Sequence, residues 1–149
     1  AAASKADRER TKLLAQAANR RHHLLVAQQQ DTFQKVMKRI RERAVDFTAT
    51  QDYYAYLEKN INLALDSLGQ AARLTFYVLE KDMEFFATHV PRKGEVEVKP
   101  GPGSMIGGFI VEDKENLLQL DLTIRSLLEE YREDIGAEIT RRFNEVSSL

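Results

Sequence analysis

The chain is 149 residues long, carries a net charge of −1 and contains neither cysteine nor tryptophan. That is room for one compact domain plus an extended element, and the missing cysteines exclude a disulfide framework, a thiolate metal site and a cysteine nucleophile. No run approaches the roughly 18 apolar residues of a membrane span and no signal-peptide pattern opens the chain, so a cytoplasmic protein without membrane insertion is expected.

The charge is unevenly placed. Residues 1–45 hold 11 Lys/Arg against 4 Asp/Glu, whereas residues 46–149 hold 11 against 19. No glycine precedes Gly69 and no proline precedes Pro91, and residues 1–45 are rich in Ala, Leu, Gln, Lys and Arg. They are expected to form one long helix. Its apolar residues repeat every 11 residues: Ala3, Leu14, Leu25, Val36 and Phe47 form one row, Ala2, Leu13 and Leu24 a second, Ala6 and Ala17 a third. Eleven residues in three turns is about 3.67 per turn, and a helix that keeps such a seam against a partner supercoils to the right. At 1.5 Å per residue the helix would span roughly 65 Å, longer than a domain built from the remaining residues, so its apolar stripe needs another chain. Ala3, Leu13, Leu14, Ala17, Leu24, Leu25 and Val36 are therefore expected to form a coiled-coil seam with a partner helix. The basic arm also suggests nucleic acid. Its Lys and Arg residues, however, surround the helix and no aromatic residue interleaves them before Phe33, so no nucleic-acid partner is expected.

A second helix is expected from an Asp52 N-cap to Leu68, ended by Gly69, with Tyr54, Leu57, Ile61, Ala64, Leu65 and Leu68 inward. Residues 73–79 read as a strand apolar on both faces, hence covered on both sides. Residues 80–90 read as a short helix stopped by Pro91, and residues 95–99 as a strand with one wet face. Residues 105–112 read as a central strand, with residues 117–122 as its hairpin partner. A final amphipathic helix starts near Asp121 or Thr123. The expected fold is α+β, with a long helical arm over residues 1–48, forming a right-handed coiled coil, and a small C-terminal head over residues 52–149. The head holds a mixed four-stranded sheet and flanking helices.

No catalytic set emerges, and no cofactor or metal is expected. The segment from Gly101 to Gly108 lacks the Gly-Lys-Ser/Thr of a phosphate loop and precedes a strand instead of a helix. His22 and His23 are adjacent and point about 100° apart on a helix, which does not suit chelation. Glu129, Glu130, Glu133 and Asp134 read as the solvated face of an amphipathic helix. Gly107 and Gly108 read as structural glycines at a bulge or a close backbone approach.

Several segments, taken in order, resemble the E subunit of A/V-type rotary ATPases. They are Leu24-Leu25-Val26-Ala27 leading into a basic helix, the helix 53–68 with Gly69, and the strand 74–79 followed by Asp82. The strongest likeness is Met105-Ile-Gly-Gly-Phe-Ile-Val-Glu-Asp, a polar hairpin, Leu120-Asp-Leu-Thr and a closing helix with Arg125 and Leu128. Leu122 departs from the family, which commonly has Asn there, and the N-terminal coil is shorter than is usual.

The resemblance implies a non-catalytic peripheral-stalk subunit that holds the catalytic head of a V/A-type ATPase or ATP synthase against rotor torque. Proton or sodium ion transport would be coupled to ATP hydrolysis or synthesis. It implies a right-handed coiled coil with the stalk subunit called G or H, docking of the head on the B subunit, and membrane-proximal collar subunits at the other end. The chain would lie in the soluble sector, peripheral to the membrane. A second likeness is to the stator-like export protein of flagellar and type III secretion systems, but Phe109-Ile110-Val111 does not match the acidic, small-residue pattern that follows the second glycine there.

Overall fold

The computed structural model describes residues 2–69, 71–91 and 94–147, with side chains from Ser4 to Val146. Arg39–Glu133 form one compact unit, and the described parts of Ala1–Lys38 and Asp134–Leu149 form another.

Helix α1 runs unbroken over Ala2–Phe47, 46 residues. Its last turns already belong to the first unit, where Ala44 and Phe47 pack on the core. At the turn that follows, the hydroxyls of Thr48 and Thr50 donate to the carbonyls of Val45 and Phe47 at 2.6 and 2.7 Å, satisfying acceptors that a helix end leaves open. Thr50 Oγ1 also accepts from the backbone N–H of Tyr53 at 3.3 Å and so caps α2, Gln51–Leu68. The cap is therefore Thr50 and not Asp52, because one hydroxyl can close both helices. The buried face of α2 is Tyr53, Leu57, Ile61, Ala64 and Leu68. Tyr53 heads it in place of Tyr54.

The sheet holds β1 (Arg73–Val78), β2 (Glu95–Pro100), β3 (Gly108–Asp113) and β4 (Leu118–Thr123) in the order β2-β1-β3-β4. β1 and β2 are parallel, joined through a 3-10 turn at Glu80–Asp82 and the short helix α3, Met83–His89; the other two pairings are antiparallel. Leu74, Phe76 and Val78 of β1, Phe109 and Val111 of β3, Phe86 of α3 and the inner face of α2 form the core. The rings of Phe76, Phe86 and Phe109 lie 5.3 to 5.6 Å apart, a spacing at which aromatic pairs attract beyond simple burial. The second face of β1 is covered in part, with Thr75 buried and Tyr77 half-buried. Thr75 and Tyr77 turn away from this core, in rows with Glu97 and Glu112 and with Lys99 and Ile110. Their charged cross-strand neighbours leave the rest of that face partly wet.

β3 also starts later than its apolar run suggests. Gly108 takes φ 78, outside the extended range, so Met105, Ile106 and Gly107 form the approach to the strand and not its first residues. The hairpin turn covers residues 114–117, where Asp113 accepts from the backbone and side-chain N–H groups of Asn116 at 3.3 and 2.6 Å.

Helix α4, Ile124–Ser147, opens on a cap built by Asp121, Thr123 and Ser126. Thr123 Oγ1 accepts from the backbone N–H of Ser126 at 3.2 Å and donates to Asp121 Oδ1 at 2.6 Å, while Ser126 Oγ donates to Asp121 Oδ2 at 2.7 Å. Burial alone would raise the Asp121 carboxyl, but the hydrogen bonds from Thr123 and Ser126 hold it below its ordinary 3.8. A carboxylate lowered by folding stabilises above its unfolded value, and that contribution is lost as pH falls through the lowered one. Acid unfolding below pH 3.8 is thus expected to be less steep in Asp121→Asn than in the wild type. Superimposable acid titrations, followed by circular dichroism, would argue against this.

In the second unit, Ile135, Gly136, Ile139 and Phe143 of α4 are half-buried, as are Leu25, Gln29, Thr32, Phe33 and Val36 of α1, with Met37 fully buried. A Cβ added at Gly136 would meet Phe33 at 3.8 Å, an ordinary contact. Because glycine costs a helix interior about 0.8–1 kcal/mol relative to alanine, Gly136→Ala is expected to stabilise the protein by about that much in urea unfolding. A loss of stability would mean that the two helices need the glycine to approach.

Candidate assembly surface and its anchor in the head

All seven residues of the expected seam lie on α1, but on two sides of it. Leu13, Leu14 and Leu24 are 65%, 63% and 65% exposed, and Ala17 is exposed too. Leu25 and Val36 are half-buried on the side that α4 covers. The side chain of Ala3 lies outside the described residues. Burying one exposed leucine is worth roughly 1.5–3 kcal/mol, so three of them along one helix make a surface whose natural state is covered.

The root of α1 is fastened into the head by a buried polar cluster. The hydroxyl of Tyr53 donates to Asp82 Oδ2 at 2.7 Å and accepts from the backbone N–H of Gly108 at 2.9 Å, and Tyr54 donates to Asp82 Oδ1 at 3.0 Å. Tyr53 and Asp82 are fully buried. Burial, then the hydrogen bond to Asp82, pushes the Tyr53 phenol well above the usual tyrosine range. Lys81 Nζ donates to the carbonyl of Thr48, just past the end of α1, and sits 5.4 Å from the centre of the Tyr53 ring. This places a cation near a helix C-terminus and over an aromatic face, both favourable positions.

The two glycines complete this joint. A Cβ at Gly107 would lie 2.8 Å from Thr48 Cγ2, 3.0 Å from Ile124 Cδ1 and 3.1 Å from the Tyr53 hydroxyl. A Cβ at Gly108 would lie 2.3 Å from the carbonyl oxygen of Leu122. The carbonyl of Gly107 accepts from the backbone N–H of Ile124 at 3.1 Å, which ties the start of α4 to the same spot. Sequence reasoning marked the glycines but missed Tyr53, Lys81 and Thr48. The 53-57-61-64-68 spacing on α2 could have found Tyr53, whereas the contacts of Lys81 and Thr48 exist only once the chain has closed.

The remaining sequence candidates do not assemble into a reactive site. The loop after β2 is folded on itself, with Gly101 N–H donating to the Val78 carbonyl at 2.8 Å and Met105 N–H to the Pro102 carbonyl at 3.1 Å. A Cβ at Gly101 would strike Met105 Sδ at 2.6 Å. Glu129, Glu130, Glu133 and Asp134 are exposed, as are His22 and His23. His89 stacks on Phe85 with ring centres 4.3 Å apart. Among the described residues no three His, Cys, Asp or Glu side chains converge to hold a metal, and no helix is long and apolar enough to cross a membrane.

Residues 2–143 match the model of the ATP synthase (E/31 kDa) subunit family. The chain belongs to that family. It is also 31% identical over 109 residues to a V-type ATP synthase E subunit, the one numbered 2, of Clostridium tetani (strain Massachusetts / E88). That alignment covers 73% of this chain and 55% of the relative, so it spans about half of the relative's length. The E subunit is a non-catalytic member of an enzyme complex, and in this chain the conspicuous exposed apolar side chains of the arm, among the described residues, are Leu13, Leu14 and Leu24.

Proposed function

We propose that this chain is a peripheral-stalk subunit of a V/A-type ATPase or ATP synthase, holding the catalytic head against rotor torque while proton or sodium ion transport is coupled to ATP hydrolysis or synthesis. In this reading α1 pairs with the second stalk subunit, G or H, in a right-handed coiled coil. The head docks on the B subunit, the far end of the stalk meets the membrane-proximal collar subunits, and the whole lies in the soluble sector on the cytoplasmic side. Family membership supports the complex, and one observation carries the mechanical role: Leu13, Leu14 and Leu24 stand about two-thirds exposed on a 46-residue helix. Stiffness along such a helix needs a second helix to cover them.

The test is affinity purification of the tagged full-length protein from its own cells, with the co-purifying chains identified by mass spectrometry. A small helical subunit and the nucleotide-binding subunits are expected in constant ratio to it. Recovery of the tagged chain free of both, from cells whose assembled ATPase is isolated in parallel, would overturn the reading.

A further inference from the structure

The sheet has two edge strands, β2 and β4, and they are finished differently. At β4 the carboxylate of Asp121 accepts the backbone N–H of Thr123 at 2.9 Å, so that strand answers part of its own edge where α4 begins. At β2 the N–H of Glu95 donates to the Ala72 carbonyl at 3.2 Å and that of Gly101 to the Val78 carbonyl at 2.8 Å. A parallel strand turns alternate residues toward its neighbour. Glu95, Glu97 and Lys99 therefore bond to β1, whereas the N–H and C=O groups of Val96 and Val98 point away from the sheet, and among the described residues no strand pairs with them. The open stretch stops at Pro100, which has no N–H to offer.

Beside that edge runs a groove of about 640 Å³, lined by Met83, Glu84 and Ala87 of α3, by Val90 just after it, and by Val96 and Val98 of β2. Val96 and Val98 are half-buried and Ala87 is exposed. The two valines thus present side chains to the groove and unpaired backbone to whatever lies along it. Arg73 pairs with Glu95 at 2.8 Å and Lys99 with Glu97 at 3.4 Å, which leaves Glu84 as the groove's carboxylate without a cation among the described residues.

We propose that the groove between β2 and α3 is a strand-addition site, taking an extended segment of another polypeptide that is apolar at alternate positions and carries Lys or Arg opposite Glu84. The backbone of the edge selects the conformation of the occupant. A helix bonds its own N–H and C=O groups and would leave those of Val96 and Val98 unanswered, whereas an extended segment pairs with both residues and sends every second side chain into the groove. A second copy of this chain fits poorly, because its β2 would bring a second Glu84 and the donorless Pro100 to the contact. Charges at Glu95, Glu97 and Lys99 on the opposite face guard the edge against indiscriminate pairing, while the valines favour a matched strand. The groove belongs to the head alone, and its occupancy does not depend on the stalk reading.

The test is a nuclear magnetic resonance titration of the isotope-labelled full chain with short end-blocked peptides that alternate valine and lysine. The largest amide shifts are expected at Val96 and Val98, with smaller ones in α3. Shifts centred on Thr75, Tyr77 and Glu112 of the other face, or no shifts at millimolar peptide, would overturn the site. N-methylating the valines in one peptide and the lysines in another removes the donors of one strand edge each. One of the two is expected to bind about tenfold or more weakly than the parent, and parental affinity in both would overturn strand addition. Ala87→Trp fills the groove from an exposed position; the melting temperature should stay unchanged while peptide binding is lost, and retained binding would place the peptide elsewhere and refute the groove. Glu84→Lys is expected to weaken the lysine peptide about two- to fivefold at low ionic strength, and unchanged affinity there would overturn the basic character of the occupant. Shifts at Val96 and Val98 that appear on concentrating the chain alone would identify a second copy as the occupant and overturn the proposed one.

Discussion

Replacing Gly108 with valine is expected to destabilise the head by about 3 kcal/mol or more, enough to leave much of the protein unfolded in mild denaturant. Two independent costs act at this position. The backbone φ of 78 is one that a β-branched residue strongly resists. The added Cβ would also lie 2.3 Å from the Leu122 carbonyl oxygen and 2.9 Å from Thr123 Cα. Both neighbours are backbone of β4, paired to β3 in register, so neither can swing aside as a flexible side chain would. Valine is the better strand former, worth at most about 1 kcal/mol, which cannot offset these terms. Gly103→Val is the control, since nothing lies within 4 Å of its Cβ position; it should shift stability by no more than about 0.5 kcal/mol. Urea unfolding followed by circular dichroism reads both, and a Gly108→Val midpoint within error of wild type would defeat the close-approach explanation.

Tyr53→Phe is the second large effect. The ring remains and fills its site, but the buried Asp82 Oδ2 loses its donor and the buried N–H of Gly108 loses its acceptor. Two unsatisfied buried groups cost about 2–4 kcal/mol together. The variant should also change the alkaline limb of the stability profile. Because folding raises the Tyr53 phenol above its ordinary 10.0, its contribution is complete below pH 10 and is lost as pH rises beyond it, by up to about 1.4 kcal/mol per pH unit. Removing the hydroxyl removes that dependence, so the wild type should lose stability more steeply above pH 10 than Tyr53→Phe does. Parallel alkaline slopes in the two proteins would show that the phenol titrates as it does in the unfolded chain.

The arm and most of the head were readable from the residues because they depend on local chemistry. An unbroken run of helix formers without glycine or proline gives α1, and clean alternation at Glu95, Val96, Glu97 and Val98 gives β2. The hidden parts depend on pairing between distant segments. Tyr53 reads as one apolar residue among several until Asp82, 29 positions on, turns its hydroxyl into a buried tie. Tyr77 reads as a core residue until its cross-strand neighbours prove to be Lys99 and Ile110 on the face turned from the helices. The seam residues share an 11-residue period, but a period does not state which part of a helix its own chain will cover, and among the described residues the cover from α4 begins at Leu25.

The last turn of α1 ends among the rings of the head. Phe47, its last residue, lies with its ring centre 5.8 Å from that of Tyr53 and 6.0 Å from that of Tyr56. The same helix thus serves as shaft and as part of the socket. A chain severed at residues 48–50 would give a head lacking a wall of its core and a helix ending in a bare aromatic ring. Within Arg39–Glu133, any displacement of the last turns of α1 would bear directly on packed rings and hydrogen-bonded backbone.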